Sequence, residues 1–188
     1  MRKKSDQTQL RIVEAAYSLF YRKGFARVSM DEIAARAKLT KRTLYLYFRS
    51  KDDLLAYSLT HYSELDKRRL DVIAARFPKN ASDALDSFFR QLIEWAGTTR
   101  WTGSGFTRLV VELADLPGHP ARGIARRAKV GLEKWLAELL AKDRIRSPSA
   151  RAREVMLLME GAMVLMLIHG DRSYGEAALA AAKKLVKR

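Results

Sequence analysis

The sequence predicts an all-α protein of about nine helices, with a small helix-turn-helix domain at the N-terminus and a larger helical domain behind it. Three observations carry this. Apolar residues recur at helical spacing along most of the chain, and no segment alternates as a strand would. The capping residues Ser29, Thr40 and Ser50 stand ten or eleven positions apart, which specifies two very short helices followed by a long one. The 188 residues include only four prolines and ten glycines, too few for a turn-rich β architecture, while 48% hydrophobic residues suffice for a core.

Taken in order, residues 2–7 read as a flexible basic arm. From Thr8 to Lys23, Ile12, Val13, Ala16, Tyr17, Leu19 and Phe20 follow helical spacing, and Gly24 ends that helix in the C′ role. Ser29-Met30-Asp31-Glu32 is a capping box, which starts a helix from Met30 to Ala37 that buries Ile33, Ala34 and Ala37. Thr40 caps the next helix, Lys41 to about Phe48. Only Leu44 and Phe48 give it a core, so Lys41, Arg42, Thr43, Tyr45 and Tyr47 lie within two turns without apolar cover. Ser50 caps a long helix that runs to about Ala75, with Asp52 and Asp53 complementing its dipole. Pro78 marks the break after it.

A broad apolar face then predicts a helix from Ala81 to about Thr98, followed by a Gly/Thr/Ser hinge to Gly105 and a helix from Phe106 to about Leu116. Pro117-Gly118-His119-Pro120 is a turn. Three more helices follow, over Ala121 to about Lys142, Ser149 to about His169, and Tyr174 to Lys187.

The formal net charge is +15. Such a field attracts polyanions and weakens with salt. Residues 1–53 carry a net +7 and residues 54–188 a net +8, so the density in the first segment is more than twice that in the second. The positive charge is therefore concentrated around the short polar helix. With no cysteine, disulfides, thiolate chemistry and Cys-ligated zinc are excluded. His61, His119 and His169 lack metal-ligand spacing, and no nucleophile–base pair, paired-carboxylate motif or Gly-rich phosphate loop is present. The reading is therefore a non-enzyme with no metal and no cofactor. The longest apolar run, Val155 to Ile168, is interrupted by Glu160 and is shorter than the roughly 20 residues a bilayer span needs. A soluble, cytoplasmic protein with no membrane partner is expected.

Two helices joined by a three-to-four-residue turn, here Ser29 to Phe48, follow the helix-turn-helix plan, whose second helix reads the major groove. On Ala15-Ala16, Leu19-Phe20, Gly24-Phe25, Ser29, Ile33-Ala34, Ala37, Leu39-Thr40-Lys41, Thr43-Leu44-Tyr45, Tyr47-Phe48, Ser50-Lys51 and Leu54-Leu55, the chain resembles the TetR family of bacterial transcriptional regulators. The match runs without a gap over about a quarter of the chain.

The resemblance implies a DNA-binding domain over 1–53 and a helical ligand-binding and dimerisation domain over 54–188. It implies that Lys41, Arg42 and Tyr45 face base edges, while Ser29, Thr40, Thr43, Tyr47 and Lys51 hold phosphates and the Met1–Lys4 arm adds contacts. Tyr45 and Tyr47 have an alternative as packing residues, and Lys51 as a solvated first-turn residue. Two departures stand out. Lys38 replaces the usual turn glycine, and if left-handed it costs about 1 kcal/mol. Arg42 replaces a small residue, and there it either reads guanine O6 and N7 bidentately or clamps a phosphate.

The helix around Val155–Ile168 is apolar nearly all round, which predicts burial on every side and a subunit interface as well as a core. The resemblance implies a four-helix homodimer interface from the last two helices. The candidates there are Met156, Met159, Met163, Leu179 and Ala182. Candidate walls of a small-molecule effector pocket are Tyr62, Phe88, Leu92, Trp95, Phe106, Leu109, Glu112 and Met166, each of which suits a plain core equally well. The functional expectation is a homodimeric regulator, most often a repressor in this family. An effector would release it from a palindromic operator in double-stranded DNA. The alternative is a sequence-blind binder of polyanions or anionic membrane surfaces.

Overall fold

A computed structural model describes residues 2–77, 80–99 and 101–187, with side chains from Ser5 onward. Among the described residues the chain forms nine helices and no strand. In order these are α1 (Arg2–Lys23), α2 (Met30–Arg36), α3 (Lys41–Tyr47), α4 (Lys51–Arg76), α5 (Ala81–Ala96), α6 (Gly105–Glu112), α7 (Pro120–Lys142), α8 (Pro148–His169) and α9 (Ser173–Leu185). The all-α class and the order of elements match the expectation. No described helix is long and apolar enough to cross a membrane. Pro78 lies outside the described residues.

One expectation is corrected at the N-terminus. The segment read as an arm over 2–7 is the beginning of α1. Nothing in Arg2 to Gln7 is a helix breaker, so the apolar pattern that begins further on propagates backwards through polar residues.

The chain divides into two compact units. The first comprises Met1–Glu64 together with Gly105–Arg126, and the second comprises Leu65–Ser104 with Arg127–Arg188. The expected boundary at 53/54 stands eleven residues before the end of the first unit's leading segment. The first unit also takes in α6, which touches α1, a grouping that no single segment of sequence announces.

In the first unit Ile12, Val13, Ala16, Phe20, Ile33, Leu44, Phe48, Leu54, Leu55 and Leu59 are buried. Its helix ends follow the local chemistry. Gly24 takes φ +88° and its N–H bonds to the Phe20 carbonyl at 2.9 Å, an αL stop that lets the chain turn. At the end of α2 the same device is made by Lys38, at φ +56°. Its N–H reaches the Ala35 carbonyl at 3.1 Å, and the Leu39 N–H reaches Ala34 at 2.9 Å. That is a Schellman pattern without glycine.

In the second unit α5, α8 and α9 pack together. The core includes Leu85, Phe88, Phe89, Leu136, Leu140, Val155, Met159, Met163, Met166, Leu179 and Ala182. Gly175 on α9 sits where a Cβ would meet Ile93 at 2.6 Å and the Met166 sulfur at 2.9 Å. This glycine therefore sets how closely α9 approaches its neighbours.

Candidate nucleic-acid interface

The first unit presents α3 as a small platform. Thr40 caps it, its Oγ1 accepting the Thr43 N–H at 3.1 Å, and the two threonine hydroxyls stand 2.8 Å apart. Ser29 caps α2 in the same way, accepting the Glu32 N–H at 3.1 Å. Leu44 is fully buried and Phe48 nearly so, and together they fix the rotation of α3 about its axis. That rotation leaves Lys41, Arg42, Tyr45 and Leu46 exposed, with Thr43 and Tyr47 half-buried. The helix therefore offers a guanidinium, an ammonium and a phenol to solvent, which are groups suited to base edges and phosphates.

Two cations of the expected set already have partners within the unit. Lys41 donates to Asp31 of α2 at 2.8 Å. That hydrogen bond and the carboxylate's charge raise the Lys41 pKa. The pair is exposed, so a phosphate can compete for the ammonium at little cost. Lys51 is more firmly committed. Its Nζ donates to the carbonyls of Phe25 at 3.0 Å and Val28 at 3.1 Å, and lies 4.3 Å from the centre of the Phe25 ring. Its role in the unit is to close the corner between α1 and α2, which differs from the solvent-facing phosphate holder expected of it.

The same corner receives α6. Glu112 accepts the Phe25 N–H at 2.8 Å and the Ala26 N–H at 2.9 Å. Arg108 donates to the Tyr21 carbonyl at 2.9 Å. Gly24 has no Cβ, and a Cβ there would stand 3.0 Å from both Glu112 carboxylate oxygens. Glu112, expected in a ligand pocket, is therefore a backbone clasp, because both its oxygens are taken by amides about 86 residues away.

The other pocket candidates divide between the units. Tyr62, Phe106 and Leu109 fall in the first, where Tyr62 stacks on Tyr17 at a centroid distance of 3.6 Å and Leu109 is fully buried. Phe88, Leu92, Trp95 and Met166 fall in the second. Phe88 and Met166 are core, Leu92 packs against that core, and Trp95 is partly exposed with its ring edge-on to Trp101. An open groove of about 630 Å³ in the second unit is lined by none of them. Its lining includes Asp86, Arg90, Glu94, Glu176 and Lys183. Asp86 hydrogen-bonds Arg90 and Lys183 there, and these bonds hold its carboxyl below the usual carboxylate range. Among the described residues no group of three or more His, Asp or Glu side chains could hold a metal ion.

Of the residues expected at a dimer interface, four are taken up by the unit's own core. Met159, Met163, Leu179 and Ala182 are buried in the second unit's own core, and Met156 packs against it. The free face of α8 is the opposite one, with Leu157, Gly161, Val164, Leu165 and Ile168 exposed. Leu157, Gly161, Val164 and Ile168 recur at the four-then-three spacing of a helix–helix seam. On α9, Ala177 and Lys184 are exposed and Ala181 is half-buried.

Residues 12–57 match the family described as "Bacterial regulatory proteins, tetR family". Over 90 residues the chain is 33% identical to the HTH-type transcriptional repressor SCO4008 of Streptomyces coelicolor, covering 48% of this chain and 43% of that protein. Over 51 residues it is 43% identical to YuxN of Bacillus subtilis, an HTH-type transcriptional regulator, covering 27% of this chain and 18% of that one. The aligned part thus spans less than half the length of these relatives. The whole fold has closer parallels. SCO4454, a TetR-family transcriptional regulator from Streptomyces coelicolor, superposes with a TM-score of 0.85 at 24% identity, over 96% of this chain and 95% of that one. The reduced form of Escherichia coli NemR superposes at 0.87 and 22%, over 95% and 96%. Residues 12–57 thus carry the N-terminal motif of the TetR family of bacterial regulatory proteins, and the helical fold over nearly the whole chain is the one seen in solved TetR-family regulators.

Proposed function

We propose that this protein is a sequence-specific DNA-binding transcriptional regulator, a homodimeric repressor that a small-molecule effector releases from a palindromic operator. One observation carries the DNA-reading part. The α3 helix buries Leu44 and Phe48 beneath it and leaves Arg42, Tyr45 and Lys41 on its outer face, within residues 1–53, whose density of net positive charge is more than twice that of residues 54–188. In this reading Arg42, Lys41 and Tyr45 meet base edges. Ser29, Thr40, Thr43 and Tyr47 meet phosphates, with Lys51 behind them holding the corner. The name of SCO4008 favours repression.

The dimer is assigned to the free faces of α8 and α9, through Leu157, Gly161, Val164 and Ile168 with Ala177, Ala181 and Lys184. Two copies would set recognition helices about 34–36 Å apart, the spacing of successive major grooves. A differential effector affinity of about 1–3 kcal/mol between two spacings changes operator binding about 5–150-fold.

Site selection from a random duplex pool at two salt concentrations tests this reading. Recovery of a palindrome, together with its loss in the double variant Lys41→Ala, Arg42→Ala, is the expected result. Salt-sensitive binding that is blind to sequence, and shared by anionic vesicles, would instead support the non-specific polyanion or membrane-surface binder.

A further inference from the structure

We infer that Leu46 is a specificity-determining residue that reads the 5-methyl group of a thymine in the major groove. This rests on the DNA-reading assignment above. Leu46 is 79% exposed, the most open large apolar side chain among the described residues. Buried Leu44 and Phe48 turn it outward. One turn back on the helix stand Arg42 and Thr43, and the chain that follows it continues with exposed Arg49 and Ser50, all polar. A protein-docking surface needs a contiguous apolar patch, whereas Leu46 shares its exposed stretch of helix with Lys41, Arg42 and the phenol-bearing Tyr45.

The setting instead pairs a single apolar side chain with a surrounding field of cations. That matches the major groove of DNA, which is lined by polar base edges and flanked by phosphates, and where the thymine methyl is the apolar group presented. Leu46 lies four residues after Arg42, about 6 Å along the helix axis. The thymine is therefore placed within about two base steps of whatever base Arg42 meets.

The test uses the full-length protein and the palindromic duplex recovered by site selection. Each thymine is replaced in turn by deoxyuridine in both half-sites, which removes the methyl and leaves base pairing intact. For the wild-type protein one symmetric position is expected to weaken binding about four-fold per half-site, or about fifteen-fold for the duplex, the effect of uncovering one methyl group on each side. Leu46→Ala is expected to bind the unmodified duplex about that much more weakly and to be indifferent to deoxyuridine at that position. Its thermal melting should match wild type, since the side chain contributes little to the core.

Wild-type binding that ignores deoxyuridine at every thymine overturns the inference. So does a Leu46→Ala variant that keeps the wild-type sensitivity. Both results leave the DNA-reading assignment standing. Failure to recover any preferred duplex overturns that assignment and this inference together.

Discussion

Both units have a buried apolar core, but they differ in the polar contacts added to it. In the first, α2 and α3 have seven residues each, too short to be stable alone or to bury much surface. Their arrangement depends on polar side chains that reach backbone groups far away in sequence. Lys51 takes the Phe25 and Val28 carbonyls, Glu112 the Phe25 and Ala26 amides, and Arg108 the Tyr21 carbonyl. In the second unit α5, α8 and α9 have between 13 and 22 residues and meet, with the later part of α7, through Leu, Phe, Met and Ala. Ion pairs such as Asp86 with Arg90 and Lys183 decorate its surface. In the first unit these directional hydrogen bonds add to an apolar core in which Ile12, Phe20, Ile33, Leu44, Leu54, Leu55 and Leu59 are fully buried, and they fix the two short helices that this core alone holds by few side chains.

The sharpest way to break this contrast is to cut the apolar core. Leu85 on α5 is fully buried in the second unit. Leu85→Ala is expected to destabilise the protein by about 2–5 kcal/mol, the loss of transfer energy plus a cavity. Urea unfolding measures it. A loss under about 1 kcal/mol would show that the second unit does not depend on close packing.

The polar counterpart is Glu112→Ala. It strips the acceptor from two amides at the α1–α2 corner. A loss of about 2 kcal/mol is expected, smaller than for Leu85 because the Ala26 amide is exposed and water can replace the carboxylate there. Hydrogen exchange should accelerate at Phe25 and Ala26 in particular. Glu112→Gln keeps one carbonyl oxygen and should retain part of the protection. Equal, unchanged exchange in all three proteins would mean that the corner is held by its other contacts.

The same contrast explains which features were legible from sequence. Ser29, Thr40 and Gly24 announce themselves because a cap or a left-handed stop is a local matter of one side chain and its own backbone, and each is found in its expected role. The split of α3 into buried Leu44 and Phe48 against an exposed face follows from a helix with only two large core residues. Leu46, two residues after Leu44, falls off the buried face by the same spacing. The α8 helix gave no such purchase. With apolar residues on every side, no face stands out, and Met159 and Met163, expected at an interface, are core. The contacts of Glu112 and Lys51 are not legible in the sequence because their partners lie across the fold, about 86 and 26 residues away. No periodicity records a contact of that kind.

The smallest effect concerns the turn between α2 and α3, where the first unit departs from its own economy of local fit. Lys38 occupies the left-handed region at φ +56°, where a Cβ crowds the following carbonyl. Lys38→Gly should relieve about 1 kcal/mol of that strain and return about half of it through a freer unfolded chain, a net gain of about 0.5 kcal/mol. Lys38→Ala keeps the Cβ and should leave stability nearly unchanged. Both variants lose the ammonium, so an equal weakening of operator binding in the two would assign Lys38 an electrostatic role near DNA. Binding that is unchanged in both would make the lysine a strained bystander of the turn. Lower stability for the glycine than for the alanine variant would mean that the left-handed backbone at this position carries no strain to relieve.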